Sequence, residues 1–222
     1  MYSRSEEKYL KTIYILSEEN KKRVSTNDIA DMLESKASSA TDMIQKLSDK
    51  KLVKYEKYKG VLLTPKGLRT ALEIVRKQRL WSTFLIQHLH FSWDEVGSIA
   101  EQMEHIKSPK LSDKLDAFLQ FPQRDPYGNP IPDKSGKIPK TKSCLLSEIE
   151  AGEKGILLQI KDQDADFLSY LNSMHLKPGT EILVKQKYNY DQSIIAQIGR
   201  NELMLSERVT KNLLIIPSDT QH

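Results

Sequence analysis

The chain has 222 residues, of which 38% are hydrophobic and 29% charged, with 34 basic against 30 acidic side chains and a net charge of +4. That length supports two or three small domains with a proper core, and the balance is that of a soluble globular protein. The single cysteine, Cys144, excludes an intramolecular disulfide and any multi-cysteine zinc site. No apolar run reaches the ~20 residues that span a bilayer, so no membrane is expected. The N-terminal MYSRSEEKYLKTIY lacks the apolar core of a signal peptide. The expected location is cytoplasmic, where one free thiol is at home.

Leu10, Ile13 and Tyr14 follow helical spacing and predict a first helix from Ser5 onward. Ser25 and Asp28 form a helix-start signal ahead of Ile29, Ala30 and Leu33, which predicts a second helix. Glu34, Ser35 and Lys36 make a short turn. A third helix follows, with Ala40, Met43, Ile44 and Leu47 on its inner face and Ser38, Ser39, Thr41, Asp42, Gln45 and Lys46 on the other. Two β-prone runs then flank Tyr58-Lys59-Gly60, a hairpin signal. Together these elements predict a winged helix-turn-helix over residues 1–64.

Thr64 and Pro65 open a long helix, expected over 68–89. Two more helices, over 93–106 and 109–119, complete a helical region at 65–122. Residues 123–143 are dense in Pro, Gly and charge, which excludes helix and inner strand and predicts a linker. Beyond it, strands are expected at 154–160, 181–187, 194–198, 203–205 and 213–216, with one helix at 164–174. Short strands around a single helix suggest a small β-barrel over 144–217. The expected fold class is therefore mainly α with a small β domain.

The third helix offers short polar side chains at the end a recognition helix uses to approach base edges. Ser38, Ser39, Thr41 and Asp42 are the candidates for base-edge or nearby phosphate contacts. Lys36, Lys46, Lys57 and Lys59 are the candidates for phosphates, since lysine clusters give affinity without reading sequence. Double-stranded DNA is the expected partner. The competing reading of the same residues is a solvated face on an ordinary helix pair.

Glu101, Glu104 and His105 are spaced i, i+3 and i+4, which on one helix places them on one side. Val96, Ile99, Met103 and Ile106 are expected on the opposite, buried side. Two carboxylates and an imidazole suit a divalent ion such as Mn²⁺, Fe²⁺ or Zn²⁺, although three ligands make only a half-site. The competing reading is ordinary surface charge. His88 and His90 are read as an exposed helix end.

EEKYLKTIY, the winged helix, VRKQRLW, the Glu101-x-x-Glu104-His105 segment and DPYGNPIPD occur in the order that marks the diphtheria toxin repressor family, and the chain resembles that family over nearly its whole length. The resemblance implies an iron- or manganese-dependent transcriptional repressor. It also implies a homodimer joined through the helices after the wing, and a C-terminal SH3-like domain similar to a ferrous-iron-transport accessory domain. Glu101, Glu104 and His105 match the family's ligand motif. Elsewhere the ligands depart: Lys8 stands where the family has Met or Asp, Lys11 where manganese-type members have Glu, and Gln78 where the family has His. At the second family site Gly97 replaces His and Ser82 replaces Glu. Asp162 or Asp164 is a loose candidate for a ligand from the C-terminal domain.

A lysine cation repels a divalent metal, so the resemblance implies a divalent Mn or Fe cofactor at a depleted site. Two readings of Lys8 follow. Its ammonium reaches Glu101 and Glu104 and replaces the metal charge, or it points to solvent beside a decayed site. The expected function is sequence-specific DNA binding at a palindromic operator. Two alternatives stay open: a winged-helix regulator sensing an organic ligand or redox change, and a metal-handling accessory or interaction protein that uses the C-terminal barrel and no longer binds DNA. No nucleophile-base pair or phosphate-cradling glycine loop points to an enzyme.

Overall fold

The computed structural model describes residues 2–20, 23–93 and 95–218. Its elements run α1 (Arg4–Asn20), α2 (Thr26–Met32), α3 (Ala37–Asp49), β1 (Val53–Glu56), β2 (Gly60–Leu63), α4 (Pro65–Leu89), α5 (Val96–Met103), α6 (Pro109–Phe118), β3 (Cys144–Leu145), β4 (Lys154–Ile160), α7 (Ala165–Ser173), β5 (Glu181–Lys187), β6 (Ile194–Ile198), β7 (Asn201–Leu205), α8 (Glu207–Thr210) and β8 (Leu213–Pro217). They divide into two compact units that interleave along the chain. One takes 1–78, 101–113 and 132–137; the other takes 79–100, 114–131 and 138–222.

In the first unit, α1 opens with a reciprocal cap. The Glu6 amide donates to the Ser3 hydroxyl at 3.2 Å, and the Ser3 amide donates to the Glu6 carboxylate at 3.0 Å. Tyr9, Leu10, Ile13 and Tyr14 then bury one helical stripe, as their spacing requires. At α2 the Ser25 side chain accepts the Asp28 amide at 3.0 Å, which fixes the helix start that the sequence signals. The turn into α3 passes through Glu34 in the left-handed region, φ 48°. Ala40, Ile44 and Leu47 of α3 are fully buried.

The ribbon β1–β2 is antiparallel, with Val53 opposite Leu63 and Glu56 opposite Gly60. It is pinned from outside by a bridge in which the Val24 amide donates to Val61 at 3.0 Å and the Val61 amide donates to Val24 at 2.8 Å. Gly60 sits at φ +96°, and a Cβ there would stand 2.6 Å from the Val24 carbonyl oxygen. Only glycine satisfies both the backbone angle and the approach.

In the second unit the C-terminal strands form one antiparallel sheet in the order β3-β8-β4-β5-β6-β7, with register shifts at Leu157/Gln159 and Val184/Gln186. Such shifts bend a sheet and let it wrap a core, here Leu157, Ile160, Ile182, Val184, Ala196, Leu213 and Ile215. Strand β3 and helix α8 are too short to show a period in the sequence, and β7 begins two residues before the run expected at 203–205.

The Pro- and Gly-rich stretch at 123–143 is not a bare linker. The buried Asp125 carboxylate accepts the backbone amides of Tyr127 and Asn129 and the Asn129 side-chain amide, each at 2.9 Å. Arg79 faces the same turn, donating to the Pro130 carbonyl. Burial pushes the Asp125 carboxyl above its ordinary pKa, against the pull of Arg79 and Asn129. Strand β4 is tied to this turn, the Ile160 amide donating to Tyr127 at 2.9 Å and Gln159 to Asn129 at 3.0 Å. Asp and Asn side chains supply the hydrogen bonds that a proline-rich backbone cannot supply for itself.

Candidate nucleic-acid interface and candidate metal centre

The outward face of α3 is open. Ser38, Ser39, Asp42, Gln45 and Lys46 are exposed and Thr41 is half-exposed, its hydroxyl donating to the Ala37 carbonyl at 2.8 Å. Lys36, at the N-cap, is also exposed and makes no side-chain cap. The α3 backbone leads directly into β1, which packs against it. At the ribbon tip, Lys57 lies 5.3 Å from the centre of the Tyr58 ring, and Tyr58 is 94% exposed. In the sequence Tyr58 marks only the hairpin turn; its place between Lys57 and Lys59 at an exposed tip adds it to the candidate contacts. Lys59 is engaged with Glu56 at 3.0 Å, and Arg23 pairs with the same carboxylate.

Lys46 has a second role. It lies 3.1 Å from Glu6, and Lys50 lies 2.6 Å from the same oxygen. Burial pushes the Glu6 carboxyl up, but hydrogen bonds from Lys50, the Ser3 backbone and Lys46 outweigh it and bring the pKa down to about 2. Glu6 therefore ties the start of α1 to the end of α3.

Glu101, Glu104 and His105 all face α1, but only Glu101 lies within helix α5. Helix α5 stops at Met103, and the Ile106 amide closes a turn on Met103 at 3.1 Å. Pro109 ahead disfavours continuing the helix. The turn swings Glu104 inward until its side chain is fully buried, while Ile106, expected inside, is exposed. Each candidate ligand meets a side chain of α1. Lys11 donates to both oxygens of Glu104 at 2.8 Å. Lys8 pairs with Glu101 at 3.0 Å, and His105 Nδ1 lies 2.7 Å from Glu7.

Lys8 thus reaches one of the two carboxylates expected of it, and the other belongs to Lys11. Burial pushes the Glu104 carboxyl up and the Lys11 ammonium opposes that push. Burial also acts upward on Glu101, but Lys8 and then Lys11 leave it below its ordinary value. Asp164 caps α7 by accepting the Asp166 and Phe167 amides, and Asp162 accepts the Asp164 amide at 3.0 Å. Gly97 is exposed with open space around it, and Ser82 is buried.

The model of the iron dependent repressor N-terminal DNA binding domain matches residues 1–61. That of the iron dependent repressor metal binding and dimerisation domain matches 64–133, and the FeoA domain matches 144–217. The chain belongs to the iron-dependent repressor family. The iron-dependent repressor IdeR of Mycobacterium tuberculosis is 31% identical over 191 residues, 81% of this chain and 83% of that one. A solved structure of a manganese-dependent transcriptional repressor in complex with manganese matches with a TM-score of 0.86 at 31% identity, over 96% of this chain and 100% of that one. A "Probable metal transport system membrane protein" of Chlamydia trachomatis is 32% identical over 142 residues; the match takes 62% of this chain but spans only 31% of that protein. No helix among the described residues is long and apolar enough to cross a membrane.

This iron-dependent repressor family member does not present a set of ligands that fits a metal ion. Among the described residues, no group of three or more His, Cys, Asp or Glu side chains is arranged to hold one. The Glu104 carboxylate is held by an ammonium at both oxygens, and Glu101 by another. A divalent cation placed there would face two fixed positive charges with fewer than the ligands it needs.

Proposed function

We propose that the chain is a homodimeric transcriptional repressor that binds a palindromic operator in double-stranded DNA, with α3 in the major groove and the β1–β2 wing on the flanking backbone. Ser38, Ser39, Thr41 and Asp42 approach base edges, while Lys36, Lys46, Lys57 and Lys59 approach phosphates. Tyr58 joins them at the wing tip. The observation that carries this reading is the exposed polar face of α3 beside a lysine-bearing ribbon held by the Val24–Val61 bridge. Short side chains let a helix approach bases closely, and lysines displace counterions from phosphates.

Dimerisation is supported by the matched dimerisation domain and by an aromatic cluster on the helices of the second unit. Phe84, His88 and Phe118 pack on one another with ring centroids 4.8 to 5.9 Å apart, His88 stacked on Phe84 and Phe118 edge-on to Phe84, yet Phe118 remains 58% exposed and Leu89 52% exposed. Large exposed apolar side chains in a cluster suit a partner of the same kind. A C2 dimer contacts two half-sites about one helical turn, or a multiple of one, apart.

Selection from a random double-stranded library tests the reading. An enriched inverted repeat protected over both halves supports it. Binding that enriches no sequence and ignores salt overturns it.

A further inference from the structure

We infer that this repressor does not wait for a metal: the ammonium groups of Lys8 and Lys11 supply the positive charge that holds α1 against the Glu101–His105 turn. The inference rests on the DNA-binding reading for its consequence, but its physical content stands on the ion pairs alone. A divalent ion brings two positive charges, and so do two lysines. Lys11 makes the central contact, both Glu104 oxygens at 2.8 Å, with side-chain exposures of 8% and 0%. Lys8 takes Glu101 at 3.0 Å nearer the surface. Glu7, on the same face of α1, takes His105 Nδ1 at 2.7 Å. Each of the three side chains that the family motif offers a metal is already engaged by α1.

The same helix carries Glu6, which Lys46 and Lys50 of α3 grip at 3.1 and 2.6 Å. One rigid helix thus joins the lysine-filled centre to the end of the DNA-facing helix. In a metal-switched protein such a helix would be free to shift until the ion arrived. Here the cations are covalently part of the chain, so the docked pose is present whenever the protein is folded. Regulation then comes from something other than the metal supply at this centre.

The test uses the full chain, purified in chelator. Titration calorimetry with Mn²⁺ and Zn²⁺ up to about 1 mM is expected to show no saturable binding at one equivalent. Library selection in chelator and in Mn²⁺ is expected to enrich one and the same operator, with affinities within about twofold. Micromolar binding of one equivalent that Glu104→Gln abolishes would overturn the inference, as would enrichment in Mn²⁺ alone. Enrichment in neither condition sinks the DNA-binding reading instead, and the calorimetry still decides the question of the metal. The variant Lys8→Asp/Lys11→Glu is expected to gain Mn²⁺ binding and to lose operator affinity about tenfold in chelator. If it folds, as circular dichroism reports, and still binds no Mn²⁺, the lysines are not what excludes the ion; if it does not fold, the wild-type titration stands as the test.

Discussion

The Lys11 ammonium lies 2.8 Å from both carboxylate oxygens of Glu104, a residue 93 positions away in the chain, and both side chains are buried. Taking two charges out of water is costly, and their attraction offsets the cost only while both are present. Lys11→Met is therefore expected to destabilise the fold by about 3–5 kcal/mol, because it leaves a buried carboxylate without its cation. Lys11→Met/Glu104→Leu should recover most of that loss. A double-mutant cycle by urea unfolding measures the coupling.

Among the described residues Lys57 meets no carboxylate, only the Tyr58 ring. Lys57→Ala should weaken binding to all DNA sequences alike and lower the slope of log affinity against log salt by ~1. Lys59→Ala should change the slope less, because Lys59 already shares Glu56 in the free protein. Filter binding or fluorescence anisotropy over a salt series reads both.

Glu6 makes stability depend on acid. Its carboxyl titrates near 4.5 when unfolded and near 2 when folded. A lowered folded pKa gives stability that is complete above the unfolded value and is lost as pH falls toward the folded one. Glu6→Gln should thus destabilise by of order 1 kcal/mol at pH 6, since Lys46 and Lys50 are partly solvated. The difference from wild type should shrink between pH 4.5 and 2. Unfolding curves at several pH values show whether it does.

Asp125 organises the turn that carries β4. Asp125→Ala removes the acceptor of three hydrogen bonds and leaves their donors without it. The expected cost is about 2–4 kcal/mol, with faster amide exchange at Ile160, whose partner is the Tyr127 carbonyl. Exchange mass spectrometry localises the effect.

Phe118→Glu places a charge in the exposed aromatic cluster. It should shift the protein toward monomer in sedimentation velocity and weaken a two-half-site operator more than a single half-site. An unchanged dimer would remove this cluster from the interface.

The winged helix was legible in the sequence because its signals are local. Ser25 before Asp28, the apolar spacing of Ala40, Ile44 and Leu47, and Gly60 after Tyr58 each act over a few residues, and each performs the expected task in the structure. The family order of motifs was legible too, and the matched domains bear it out. The end of α5 was not, since the i, i+3, i+4 spacing of Glu101, Glu104 and His105 continues one residue after another past the point where the backbone turns. The packed turn at Asp125–Asn129 was not legible either, because its hydrogen bonds come from side chains rather than from a ladder.

Sequence alone determined that lysines stand where the family expects ligands, since that needs only the chain order around Lys8 and Lys11. Only the tertiary structure decided which carboxylate each lysine meets. Both lysines project from one face of α1, but Lys11 is buried and Lys8 is near the surface, so burial sorts them: the shielded ammonium takes the shielded Glu104, and the exposed one takes Glu101. Desolvation is a property of the packed unit, and no local spacing encodes it.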